Sequence, residues 1–122
     1  MANPTVFTPI ANDPIYLGTA TGTSAGTIYT SGAGGAILDY ITVVCTNGTA
    51  DQVTVYYEQG GGTAAGSNTL ANAVTIPGDG YGVNLLSWAG GRPFHMEASS
   101  KIRGYAETGT AFVCHVGGVD YA

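Results

Sequence analysis

Short β-type segments separated by glycine recur along most of the chain, at 36–45, 52–58, 74–76, 81–86, 102–106 and 111–119. Each is rich in Val, Ile, Thr and Tyr, the residues that suit a pleated, half-buried surface. The 20 glycines among 122 residues mark the turns between them, because Gly takes positive φ at no steric cost. No stretch sustains a 3.6-residue apolar period, so helices are not expected. With the shorter segments at 15–17, 27–30 and 95–98, the spacing predicts about nine strands, as in a β-sandwich or barrel.

Within 36–45 the residues Leu38, Tyr40, Thr42 and Val44 alternate with Ile37, Asp39, Ile41, Val43 and Cys45. The second set is apolar except at Asp39, and is expected to face the core. Val53, Val55 and Tyr57 share a face opposite Thr54, Tyr56 and Glu58. Asn47-Gly48 lies between the two segments and is a strong reversal signal, which predicts a hairpin of 36–45 with 52–58. Residues 69–73 suggest a helical turn. Pro77-Gly78 and Asp79-Gly80 place a turn between 74–76 and 81–86.

Length fits one domain. Residues 1–14 read as an extended N-terminal arm and 15–122 as the sandwich. Pro4, Pro9 and Pro14 exclude a helix from the arm, and Val6, Phe7 and Ile10 give it apolar side chains. Such a segment lies either on a partner or on its own domain as an edge strand, where Pro is tolerated. Val6, Phe7, Pro9 and Ile10 are the candidate partner-binding residues, in an anchor dispensable for folding and needed for attachment. Trp88 and Tyr81 are candidates for surface recognition, since Tyr and Trp combine a large apolar ring with a polar edge.

Only 9% of residues are charged, against about 25% in an average soluble protein. The net charge is −5, and the basic residues are Arg92, Lys101 and Arg103. That balance argues against binding nucleic acid, which rests on neutralising phosphates. No apolar run reaches the roughly 20 residues of a membrane helix. The first ten residues have neither a basic region nor a continuous apolar stretch of the secretory kind, so assembly in a cytoplasm is expected. Cys45 and Cys114 could form one disulfide, but both sit in apolar strand-like runs, and buried reduced thiols are the expectation.

Candidate chemistry is sparse. His95 and His115 are the two available imidazole bases. Cys114 and His115 are adjacent in a strand and point to opposite faces, so one strand cannot offer both to one metal ion. The eight carboxylates are dispersed without the spacing of a calcium loop, and Gly60-Gly61-Gly62-Thr63 lacks the Gly-Lys-Ser/Thr ending of a phosphate-binding loop. No catalytic, metal-binding or cofactor-binding residue is assigned, and a non-enzymatic protein is expected.

The order of these segments resembles a group of small virion proteins of tailed bacteriophages that decorate or cement the capsid or belong to the tail. The matching stretches are 26–34, 36–47 (AILDYITVVCTN), 52–56 (QVTVY), 73–77 (AVTIP) and 113–119. The resemblance rests on composition and order of elements, and covers residues 15–119. It implies an all-β fold, a single antiparallel β-sandwich that is jelly-roll-like, without catalytic residues or cofactor. It further implies a homotrimer on the lattice of the major capsid protein or on other virion proteins, hence location in the virion. A tail, neck or fibre component is the alternative within that class. A carbohydrate-binding module using Trp88 or surface tyrosines is the alternative outside it.

Overall fold

The computed structural model describes residues 7–10, 15–21, 25–45, 49–60, 69–78, 80, 82–86, 93–108 and 112–121. The strands are β1 (Phe7–Pro9), β2 (Ile15–Tyr16), β3 (Gly26–Thr30), β4 (Ala36–Cys45), β5 (Asp51–Glu58), β6 (Thr69–Ile76), β7 (Val83–Asn84), β8 (Phe94–Met96), β9 (Lys101–Ala106) and β10 (Phe112–Tyr121). They form two antiparallel sheets. In the first, β10 and β4 lie side by side, with β1 and β2 along the outer edge of β10 and β7 and β8 along that of β4. The second has the order β3-β9-β5-β6.

If β1 with β2, and β7 with β8, are each counted as one position, the chain visits the sheets as first, second, first, second, second, first, second, first. That is the winding of a jelly roll, eight positions in two sheets. The expected all-β sandwich is therefore what the chain adopts. Between the sheets lie Leu38, Ile41, Val43, Cys45, Val53, Val55, Ile76 and Ile102, all fully buried. Burying a side chain of this size contributes about 1.5–3 kcal/mol.

The expected hairpin of 36–45 with 52–58 does not form. β4 pairs with β10 from Ala36↔Asp120 to Cys45↔Phe112, while β5 pairs with β6 and β9 in the other sheet. The apolar faces of β4 and β5 then look at each other across the core, which buries both. A turn signal states that the chain reverses, not whether it reverses within a sheet or across to the opposite one. The segment 69–73 is strand, as the first part of β6, and not a helical turn. The strand expected over 81–86 is confined to Val83–Asn84 among the described residues, and it too lies in the opposite sheet from β6.

The alternation of β4 changes phase at Asp39. Ile41, Val43 and Cys45 are buried as expected, but on the other side of Asp39 the buried residues are Ala36 and Leu38, and Ile37 is only half-buried. The register explains the change: Gly117 faces Tyr40 and Gly118 faces Leu38, leaving Asp39 as the extra residue of a β-bulge. Two glycines opposite make room. A Cβ on Gly118, whose φ is +148°, would stand 2.0 Å from the Ile37 carbonyl oxygen. A Cβ on Gly117 would stand 2.1 Å from the Tyr40 ring.

Residues 7–10, set apart from the domain in the sequence reading, adopt the edge-strand alternative. Phe7↔Tyr121 and Pro9↔Val119 pair, the Ile10 N–H donates to the Gly118 carbonyl at 3.0 Å, and Ile10 packs against the core. A knot of hydroxyls ties the two sheets at one end. Ser31 Oγ donates to the Glu97 carbonyl at 2.6 Å and accepts from the Ser100 N–H at 2.9 Å. Ser100 Oγ, fully buried, accepts from the Gly60 N–H and the Tyr57 hydroxyl. Near the same end the Asp120 carboxylate accepts from the Gly32 N–H at 2.8 Å and from the Tyr29 hydroxyl. Burial first, then that bond and the charge of Asp120, hold the Tyr29 phenol well above its ordinary range.

Two outcomes test this account. Gly118→Ala should cost about 2–4 kcal/mol in urea unfolding, from strain and displaced backbone. Gly18→Ala, with open space around its Cβ, should stay within about 0.5 kcal/mol of the parent. Cys45 and Cys114 are both free and fully buried, so native thiol titration should find neither and denaturant should expose both. Burial pushes the Cys114 thiol up from 9.0 to about 12. Its neutral form is favoured in the fold, so stability is full below pH 9 and falls as pH rises toward 12, by about 1.4 kcal/mol per unit for this thiol.

Candidate interaction surfaces

The residues singled out from the sequence do not converge. Val6, Tyr81 and Trp88 lie outside the described residues, as does the side chain of Phe7. Pro9 is exposed on the edge strand β1, whereas Ile10 is half-buried against the core. His95 is opposite Ile37 and His115 opposite Thr42, on different flanks of β4. Five residues of strand, about 17 Å, separate those two positions. Cys45 and Cys114 face the core, away from His115. Among the described residues no three His, Cys, Asp or Glu side chains gather as a metal site would require, and no pocket opens.

What the fold does organise is two unlike sheet faces. On the outside of the second sheet, Thr54, Tyr56 and Glu58 of β5 stand beside Tyr105, Arg103 and Lys101 of β9. Thr54, Tyr56 and Glu58 are buried although they point away from the core. Arg103 explains part of this, since its Nε pairs with Glu58 and its Nη1 donates to the Ala25 carbonyl at 2.9 Å. The Tyr56 and Tyr105 rings stack at 6.0 Å and 30°. Burial, and then the hydrogen bond the Tyr56 hydroxyl donates to Tyr105, raise the Tyr56 phenol. Thr54 Oγ1 accepts from the N–H of Ala73, at 3.0 Å. Ala73 sits at φ +50° in the irregular edge strand β6, where the register with β5 shifts twice. Arg103, Glu58, Tyr56 and Thr54 on this face are thus engaged within the chain.

The outside of the first sheet is different. The register brings Tyr16, Val113 and Val44 into one row and Pro9, Val119, Ile37 and His95 into another. Thr42, His115 and Tyr40 lie between them, with the Tyr40 ring over Gly117. Most of these side chains are half-buried, and Tyr16 is 74% exposed. The six strands contain no Lys, Arg or Glu. Of their two carboxylates, Asp120 turns toward Tyr29 and Gly32, and Asp39 is exposed at the bulge.

Sequence reasoning missed this surface because it depends on which strands share a sheet. The pairing of β4 with β10, remote in the chain, assembles it, and no local motif reports that pairing. Comparisons with family models, curated proteins and solved structures find no match to this chain.

The self-contained character of the second face leads to a double-mutant test. Arg103→Met or Glu58→Gln alone should lower stability by about 2–4 kcal/mol in urea unfolding, because each strands a largely buried partner. The double variant should recover much of that loss. Additive losses would show that the pair does not act as a unit.

Proposed function

We propose that this chain is a non-enzymatic structural protein of a phage-type virion, a decoration or cement protein that clamps neighbouring major capsid subunits and stabilises the head. The observation that carries the reading is the outside of the first sheet, a broad face of valines, tyrosines and small residues on which Asp39 is the exposed carboxylate. A surface of this kind suits protein contacts, where Tyr contributes large contact area at small entropic cost. Support also comes from the resemblance in segment order to decoration and tail proteins of tailed phages, and from the jelly-roll winding, although fold alone does not specify function. Cementing does not require high affinity at any one contact. Many copies on a lattice reinforce one another through effective concentration.

The test is electron cryomicroscopy and thermal disruption of particles assembled with and without the chain. Density at repeated positions on the shell, with a higher disruption temperature when the chain is present, is the expected result. Density confined to the tail or neck would move the protein to the tail alternative. Absence of the chain from the particle would overturn the virion reading.

A further inference from the structure

We propose that Tyr56 and Tyr105 are an oxidative modification site, at which a peroxide-driven one-electron oxidant joins the two rings into a dityrosine that ties β5 to β9. The inference concerns the outside of the second sheet and is independent of the virion reading.

Register places the pair. Tyr56 stands opposite Arg103 and Tyr105 opposite Thr54, so the two rings rise from adjacent strands as diagonal neighbours on one face, a separation that aromatic side chains span. They are stacked, with centroids 6.0 Å apart and planes 30° from parallel, and the Tyr56 hydroxyl donates to Tyr105. Phenoxyl radicals couple at the ring carbons beside the oxygen. Stacked rings with their hydroxyls together bring those carbons toward each other.

The surroundings suit the chemistry. Tyr56 is buried and Tyr105 half-buried, so Tyr105 gives the pair its contact with solvent. Burial disfavours the bare phenolate of Tyr56. Its proton therefore leaves together with the electron, relayed through the Tyr105 hydroxyl toward water. Thr54, Arg103 and Glu58 alongside hold no thiol or thioether to be oxidised first, and Cys45, Cys114 and Met96 are buried in the core between the sheets. The Tyr57 and Tyr29 hydroxyls are directed elsewhere, to Ser100 and Asp120.

Each phenol gives up one electron and its hydroxyl proton. A Cε–Cε bond then forms between the two phenoxyl rings, each bonding carbon loses its hydrogen as a proton, and a proton returns to each oxygen to restore both hydroxyls. The chain loses two hydrogen atoms in all. Hydrogen peroxide takes them and is reduced to two waters, through a haem or other metal centre that accepts one electron at a time. The link restricts the unfolded chain as a disulfide of that span would, enough to raise the melting temperature by roughly 10 °C.

The experiment treats the isolated full chain with hydrogen peroxide and a small haem peptide, in buffer and in urea, and follows dityrosine fluorescence, intact mass, crosslinked peptides and thermal unfolding. Variants are Tyr56→Phe, Tyr105→Phe and, as a control on the other sheet, Tyr16→Phe, each checked for folding by circular dichroism. The folded parent and Tyr16→Phe should give a single-chain product lighter by two hydrogens, crosslinked between residues 56 and 105 and melting higher than the untreated chain. Tyr56→Phe and Tyr105→Phe should not give that product, and the urea-unfolded parent should give far less of it. If Tyr56→Phe does not fold, Tyr105→Phe decides, because its ring is half-buried and loses only a hydroxyl. Oxidation without dityrosine, crosslinks chiefly between chains or at other tyrosines, or equal yields from folded and unfolded chain would each overturn the proposal.

Discussion

The pairing of β4 with β10 is the constraint on which the rest of the molecule depends. These are the two longest strands, they are adjacent over nearly their whole length, and they carry the core of the first sheet. Their register is not uniform. Asp39 is inserted on one side and a pair of glycines lies opposite on the other, so the inward set passes from Ala36 and Leu38 to Ile41, Val43 and Cys45. Without the bulge, one half of β4 would turn its apolar residues to water, because a one-residue slip exchanges the faces of a strand. The short flanking strands respect the same division. β8 and β1 pair on one side of the irregularity, and β7 and β2 on the other.

Closure of the second sheet rests on different physics. Its inward residues, Val53, Val55, Ile102 and Ala106, pack against the first sheet without polar content. Its outward side is held by the Arg103–Glu58 pair, the stacked Tyr56 and Tyr105 and the Thr54 hydroxyl. A side chain already engaged with neighbours on its own sheet has less to offer a partner. On the first sheet the outward Asn84 is engaged as well, its Oδ1 accepting from the Ile41 and Leu86 N–H groups, so the two faces differ chiefly in the charge they carry.

Much of the strand content was legible in the chain. Val, Ile, Thr and Tyr in short runs, with glycine between them, specify extended segments and reversals, since those preferences are local. The common face of Val53, Val55 and Tyr57 and the inward set Ile41, Val43 and Cys45 followed from alternation alone, as did the opposed directions of Cys114 and His115. Alternation failed at Ile37, where an inserted residue changes the phase. Gly117-Gly118 is the trace of that insertion, but glycine pairs are common in this chain and nothing local separates a bulge from a turn.

What the sequence by itself determined is thus a set of strands, their approximate limits and a buried core without helices. Tertiary structure alone decided which strands share a sheet. β4 could have reversed onto β5 through the Asn47-Gly48 signal, yet it crosses to the opposite layer and takes β10 as its neighbour. Two apolar faces gain more by enclosing a common core than by lying side by side with one flank in water. The sparsely charged outer surface is a consequence of the same choice, because Tyr16, Tyr40, Val44, Val113 and Val119 become one face only when distant segments of the chain are hydrogen-bonded together.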